Sequence, residues 1–359
     1  MPKYRFEEIA FNSTAKKKPV EEDKSHYIGL EHLDSGSFTV KRFGSEVAPI
    51  GEKLLMKKGD VLFGKRRAYQ KKVALAPFDG IFSAHGMVLR PKEDVVDKDF
   101  FPLFIGSDYF LDVAVEISVG SLSPTVNWRD LKDIEFELPE LSEQRKLAKV
   151  LWSIIDTLEA YNNLLSKIDD LVKSQFIEMF GTIHSSGTFP QKQWKDVLKI
   201  INGKDHKKIS NPSGPYPIYG SGGLMGRGDD YLCPENTIVV GRKGTIDKPF
   251  VVTEKFWNVD TAFGVVPNQE ELHFQYLFWY CKQLDFQKLN KASTLPSTTK
   301  DDWLKLWINI PPYSMQEEFA SFVQQSDKSK SVLVNANHHL SSVASQMCLN
   351  SFVTDYSLV

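Results

Sequence analysis

The stretch SEQRKLAKVLWSIIDTLEAYNNLLSKIDDLVKSQFIEMFG, residues 142–181, reads as one long helix. Leu147, Leu151, Ile154, Leu158, Tyr161, Leu165, Ile168, Val172, Gln175 and Met179 follow at alternating steps of four and three, the spacing that keeps one seam turned toward a partner helix. Ser142 supplies an N-cap, Glu143 places negative charge where the helix dipole is positive, and Gly181 is a C-terminal stop. At about 1.5 Å per residue the run spans about 58 Å, far longer than helices packed inside a globular domain. It is expected to be a spacer.

A spacer needs a body at each end, and the chain repeats itself. Pro139, Ser142, Gln144, Ala148 and Phe180 return as Pro311, Ser314, Gln316, Ala320 and Phe352, each shifted by 172 positions. A second helix is therefore expected from Ser314 to Phe352. Its seam carries Phe319, Val323, Leu333, Leu340, Ala344 and Met347, interrupted by the polar Ser326, Lys330 and Asn337. Two such helices in one chain are expected to pair antiparallel along their seams.

A chain of 359 residues, 42% hydrophobic and 25% charged, has material for about two domains with their own cores. The net charge of -2 gives no bulk attraction to nucleic acid or anionic membranes, so either role must rest on local patches. Cys233, Cys281 and Cys348 are odd in number and widely spaced, which fits a reducing compartment and argues against a structural zinc. The N-terminus has no apolar signal region, and the run from Phe274 to Cys281 is too short to span a bilayer. A cytoplasmic protein with no membrane association and no bound metal is expected.

The first half mixes strand signals (Tyr27–Leu30, Asp60–Gly64, Gly80–Phe82, Met87–Leu89) with a helical pattern from Phe100 to Ile117. The densest basic run of the chain is Lys53, Lys57, Lys58, Lys65, Arg66, Arg67, Lys71 and Lys72, and within it Arg66 and Arg67, with Tyr69 and Gln70, form a loop just after Gly64. The second half answers with the apolar Thr237–Val240 ending at Gly241, then Arg242 and Lys243. A second, hydroxyl-rich loop also recurs: Ser121, Ser123, Thr125 and Asn127 in the first half, Thr294, Ser297, Thr298 and Lys300 in the second. Any one such lysine is an ordinary solvated charge, and any one such loop an ordinary turn with a helix cap. The pattern gains weight because it occurs twice. Lys and Arg on phosphates, with Arg, Gln or Asn on base edges, are the groups that fix and read a DNA duplex.

Three features suggest an enzyme and fail. The glycine-rich run Gly220–Gly226 follows a proline-broken segment rather than a buried strand leading into a helix, so it is no phosphate cradle. Asn309-Ile310-Pro311-Pro312-Tyr313 carries an isoleucine where the Asn-Pro-Pro-Tyr motif of amino-methyltransferases has none, and reads better as a strand-to-helix corner. His338 and His339 are adjacent on a helix and point about 100° apart, which suits neither a metal pair nor a dyad. No constellation for chemistry remains.

Taken in order, further stretches carry a resemblance. They are His26–His32, Gly120–Ser121, Leu131–Ile134, Leu138–Leu147 with the long helix, Pro217–Gly223, Val240–Thr245 and Asn258–Thr261. The chain resembles the specificity subunit of type I restriction-modification systems over nearly its whole length. The resemblance implies an α+β fold with a pseudo-twofold internal repeat: two similar mixed α/β target recognition domains joined by two long helices forming an antiparallel coiled coil. The boundaries expected are 1–140 and 182–312 for the recognition domains, 141–181 and 313–352 for the helices, and 353–359 for a tail. It further implies that the chain is not itself an enzyme. Each domain would read one part of a split target in double-stranded DNA. Two methyltransferase subunits would dock along the helices and bring S-adenosylmethionine, while restriction and translocase subunits would complete the complex; no cofactor is expected on this chain. Ser221, Arg227 and Thr245 join the loop residues above as candidate DNA contacts, and Leu147, Leu151, Ile154, Leu158, Leu165, Ile168, Phe319, Val323, Leu333, Leu340 and Met347 are the candidate pairing residues. Two other readings stay open: the specificity subunit of a related system with methyltransferase and nuclease fused in one partner, and a coiled-coil adaptor that binds protein rather than DNA.

Overall fold

The structure, a computed structural model, describes residues 1–183, 189–290 and 296–352, without the side chains of Gln287 and 345–352. It divides into two compact units: Met1–Tyr161 with the described part of 336–359, and Asn162–Asn335. Both 40-residue helices, Leu141–Phe180 and Tyr313–Phe352, contribute to both units.

In its main sheet the repeat returns strand for strand where residue identity had faded. The first unit has an antiparallel sheet in the order Ala10–Ser13, Met87–Pro91, Val61–Phe63, Val73–Leu75. The second has the same sheet as Leu198–Asn202, Ala262–Pro267, Thr237–Gly241, Phe250–Val252. Its inner strands Val61–Phe63 and Thr237–Gly241 are buried at every position, which is why they read as continuous apolar runs without alternation. A smaller sheet accompanies each and contains one parallel pair, Tyr27–Ile28 with Gly80–Phe82 and Tyr216–Gly220 with Trp257–Asn258. The ends of each globular module are clasped by a two-stranded ribbon, Lys3–Arg5 with Glu135–Glu137 and Gln191–Gln193 with Trp307–Asn309.

The cores are aromatic. Phe6, Phe104, Phe110 and Phe136 meet at centroid distances of 5.2 to 5.9 Å in the first unit. In the second, Phe176 and Phe180 of the central helix pack on Tyr276 and on Phe319. The single helix expected from Phe100 to Ile117 is two, Phe100–Gly106 and Asp108–Glu116. Ser107 between them is extended, and its hydroxyl donates to Phe104 O at 2.6 Å and accepts from Phe110 N at 3.3 Å, closing one helix and capping the next.

The central helix begins at Leu141, so Ser142 is its second residue and not its N-cap, because the Glu140 carbonyl already accepts from Glu143 and Gln144. It stops at Gly181, whose φ of 76° lies in the left-handed region and whose N–H donates to Ile177 O at 2.8 Å. Every seam residue from Leu147 to Met179 is buried or half-buried. Near its C-terminus the most buried face becomes Val172, Phe176 and Phe180, steps of four rather than the alternating seam, as the helix turns a wider stripe to the module core. Leu147 and Leu151 pack likewise on the first module's core.

Within the second unit the two long helices run antiparallel: Phe176 and Phe180 meet Phe319, and Asp169 pairs with Lys330 at 2.6 Å. Lys330, a break in the apolar seam, is thus answered by a carboxylate on the facing helix. Leu333 and Leu340 are half-buried, Ser326 is buried, and the Met347 side chain lies outside the described residues.

Gln144 and Gln316 explain why glutamine recurs in the repeat. Gln144 Oε1 accepts from Asp97 N at 2.8 Å, while its Nε2 donates to Val95 O and Pro139 O at 3.1 and 2.8 Å. Gln316 does the same with His273 N at 2.8 Å and with Glu271 O and Pro311 O, both at 2.9 Å. Each side chain is fully enclosed and stitches its helix to its module.

Candidate nucleic-acid interface

In each unit the basic loop and the hydroxyl loop are brought together by the same backbone zipper. In the first, Arg66 bridges Thr125, Arg67 N donates to Pro124 O at 2.7 Å, and Val126 N donates to Lys65 O at 3.0 Å. In the second, Lys243 bridges Ser297, Gly244 N donates to Pro296 O at 3.0 Å, and Thr298 N donates to Arg242 O at 2.9 Å. The hydroxyl loops then lead into short helices, Asn127 ahead of Trp128–Leu131 and Thr299, whose hydroxyl accepts from Asp302 N, ahead of Lys300–Leu304. Each site is therefore two loops held at the end of a buried strand.

The first site is strongly positive. Arg66 and Arg67 are exposed, and Arg66 Nη1 lies 3.3 Å from His85 Nε2. Burial, then the charges of Arg66, Lys65 and Lys53, hold the His85 imidazole below its ordinary range. Burial and then Lys16 lower the Lys65 ammonium likewise. After burial, the next cause in each case is neighbouring positive charge, around exposed His85 and half-buried Lys65, a field suited to an anion. Arg67 takes a left-handed backbone, φ 57°, with its Nε 3.5 Å from Ser123 Oγ. Tyr69 is exposed and Gln70 half-buried, while Ser121 stands in solvent on the facing loop.

Several expected contacts are already engaged within the fold. The Lys71 ammonium is held by Asp108 and Asp112 at 2.7 and 2.6 Å. Arg227 Nε donates to Gly214 O at 2.7 Å and Nη2 to Pro215 O, so this guanidinium closes a loop. Thr298 is buried, its hydroxyl donating to Gly241 O at 3.0 Å. Asn127 donates to Asp130 at 3.2 Å. Arg242 reaches Asp260 O at 3.3 Å and lies over Phe263, whereas Lys243 is exposed. Ser221 Oγ donates to Lys243 O at 2.9 Å, joining the glycine-rich turn to the site. Thr245 and Lys300 are half-buried nearby in sequence, and Thr294 lies outside the described residues.

His85 was not among the sequence candidates, and Lys53 stood there only as a member of the basic run. His85 occupies the place of Thr261: its carbonyl accepts from Arg66 N at 3.2 Å as that of Thr261 accepts from Arg242 N at 2.8 Å. The signal was present only in the strand correspondence, which residue identity does not reveal. The glycine-rich run proves to be a hairpin, Tyr216–Gly220 with Gly223–Gly228, and leads into no helix. Among the described residues no three His, Cys, Asp or Glu side chains gather to hold a metal, and no helix is long and apolar enough to cross a membrane. Cys233 and Cys281 are buried free thiols, and burial pushes Cys233 up to about 12.

The model of the type I restriction modification DNA specificity domain matches the chain twice, over residues 11–170 and 188–337. The type I restriction enzyme EcoDI specificity subunit of Escherichia coli is 25% identical over 182 residues, 49% of this chain and 40% of that protein; the match thus spans two fifths of the relative. The putative type I restriction enzyme MjaX specificity subunit of Methanocaldococcus jannaschii is 20% identical over 308 residues, 75% of this chain and 72% of that one. Among solved structures, the S subunit of a type I restriction-modification system from M. genitalium superposes with a TM-score of 0.65 at 14% identity, covering 99% of this chain and 96% of that chain. A chain described for the complex assembly and conformational transition of a type I R-M system gives 0.57 at 17% identity, covering 99% and 98%. These likenesses share the fold described above.

Proposed function

The chain belongs to the type I restriction-modification DNA specificity family, and from that premise we propose that it is the non-catalytic subunit that selects the DNA on which such a system acts. One observation carries the reading: the same strand-end zipper sets a cation against a hydroxyl twice, Arg66 at Thr125 and Lys243 at Ser297. Two sites of one design read two separate blocks of one duplex. Exposed Arg66, Arg67 and Lys243 neutralise phosphates and fix the register, and guanidinium, amide and hydroxyl groups beside them read base edges. Two methyltransferase subunits dock along the helical region and carry S-adenosylmethionine and the methyl-transfer chemistry, and restriction and translocase subunits join them. The assembly works in the cytoplasm on double-stranded DNA.

The test is to co-express the chain with a methyltransferase subunit of its own system and map methylated adenines by single-molecule sequencing. The expected result is a split motif, two specified blocks around a fixed unspecified gap. A stable complex whose DNA affinity does not fall with ionic strength would instead favour an adaptor, because phosphate contacts release counterions and must be salt-sensitive.

A further inference from the structure

Each unit leaves large aliphatic side chains in solvent beside its basic loop. In the second unit the hairpin Tyr216–Gly220 and Gly223–Gly228 carries Leu224 and Met225, 62% and 58% exposed. Ile218 faces Gly226 while Tyr219 faces Leu224, so Met225 is the extra residue of a bulge, a device that re-aims side chains at sheet edges. A Cβ added at Gly222, Gly223 or Gly226 would meet nothing within 4 Å, so the tip is thin and uncrowded. Ser221 anchors it to the cationic loop through Lys243 O.

The first unit also exposes an aliphatic tip, on a different connection of its smaller sheet. The loop that leads into Lys53–Met56, a strand paired with Gly80–Phe82 on the side opposite Tyr27–Ile28, carries Ile50, 94% exposed, and Val47, 71%. The Lys53 ammonium donates to the Ile50 carbonyl and to Gly51 O, so a cation stands at the base of this tip. An isolated exposed aliphatic group needs no explanation. Here an exposed aliphatic tip stands beside a cation in each module, tied to Lys243 through Ser221 in one and to Lys53 in the other.

A ligand that satisfies both parts has a charged rim and an apolar interior. Duplex DNA does, with phosphates along its edges and thymine methyl groups on the floor of the major groove. We propose that Leu224 and Met225 in one module, and Ile50 in the other, are specificity-determining residues that make apolar contact with thymine 5-methyl groups while the adjoining cations hold phosphates. The proposal rests on the DNA-reading role above and deepens it.

The experiment compares the complex of the full chain and its methyltransferase subunit with Leu224→Ser/Met225→Ser and Ile50→Ser variants. The methylated motif, cognate affinity and salt slope are read for each. The expected result is relaxation of a thymine-bearing position in one block by the first variant and in the other block by the second. Cognate affinity falls about tenfold, and the slope of log affinity against log salt is unchanged because no phosphate contact is lost. Uracil in place of that thymine weakens the wild type about fourfold, the effect of one methyl group, and does not weaken the variant. Retention of the full motif and affinity by both variants overturns the proposal, as does a salt slope that falls with the affinity. Should the double variant not assemble, Leu224→Ile/Met225→Leu with the same uracil comparison decides the second module, and Ile50→Ser, on an open loop, decides the first. A wild-type complex with no split motif overturns the underlying DNA-reading role instead, and with it this one.

Discussion

Lys71 and Lys243 look alike in sequence and differ in the fold. Asp108 first, then Asp112, raise the Lys71 ammonium above its usual range, so its charge is already answered, while Lys243 is exposed. Lys243→Ala is therefore expected to weaken binding to every duplex and to lower the salt slope by about one, whereas Lys71→Ala leaves the slope intact; titrations at several salt concentrations check both. His85 gives a pH test. Burial and the cations Arg66, Lys65 and Lys53 keep it below the ordinary value of 6.5 in the free chain, and approaching phosphates would raise it. The complex then binds more protons than the free protein. Affinity is expected to rise as pH falls from 8 toward 6, and His85→Asn to flatten that profile, measured by fluorescence anisotropy.

At the level of elements, the long helices are fastened by few groups. Gln144→Ala removes three hydrogen bonds from an enclosed site and leaves Asp97 N and two carbonyls without that partner, a loss of about 2–4 kcal/mol by denaturant titration; Gln316→Ala is its equivalent. Phe176→Ala and Phe319→Ala should each cost about 3–5 kcal/mol. Because their rings lie 5.4 Å apart, the double variant should lose less than the sum by more than about 0.5 kcal/mol. The heptad seam was legible because burial follows it at every turn from Leu147 to Met179. The shift to Val172, Phe176 and Phe180 was not, since a straight run of sevens does not announce where a helix leaves its partner for a globular core.

For the molecule as a whole, removing one heptad from each long helix shortens each by about 10 Å, near three base-pair steps, while preserving the seam. The methylated motif should keep both specified blocks and change only the gap, which sequencing of methylated DNA reads directly. An altered block with an unaltered gap would mean that the helices do not set the spacing. The internal repeat was visible in the helix-entry residues Pro139, Gln144, Pro311 and Gln316, because an enclosed amide clamp constrains identity. It was invisible across most of the sheets, where any apolar residue of suitable volume serves.

By itself the sequence determined the two long helices, the duplication, the paired basic loops and the family, because periodicity, caps and turn residues act over a few positions. Only the tertiary structure decided which cations are available. Lys71 is spoken for by partners 37 and 41 residues away and Arg227 by partners 12 and 13 away, and His85 joins Arg66 from 19 residues away. Electrostatic pairing depends on distance in space, and separation along the chain does not encode it.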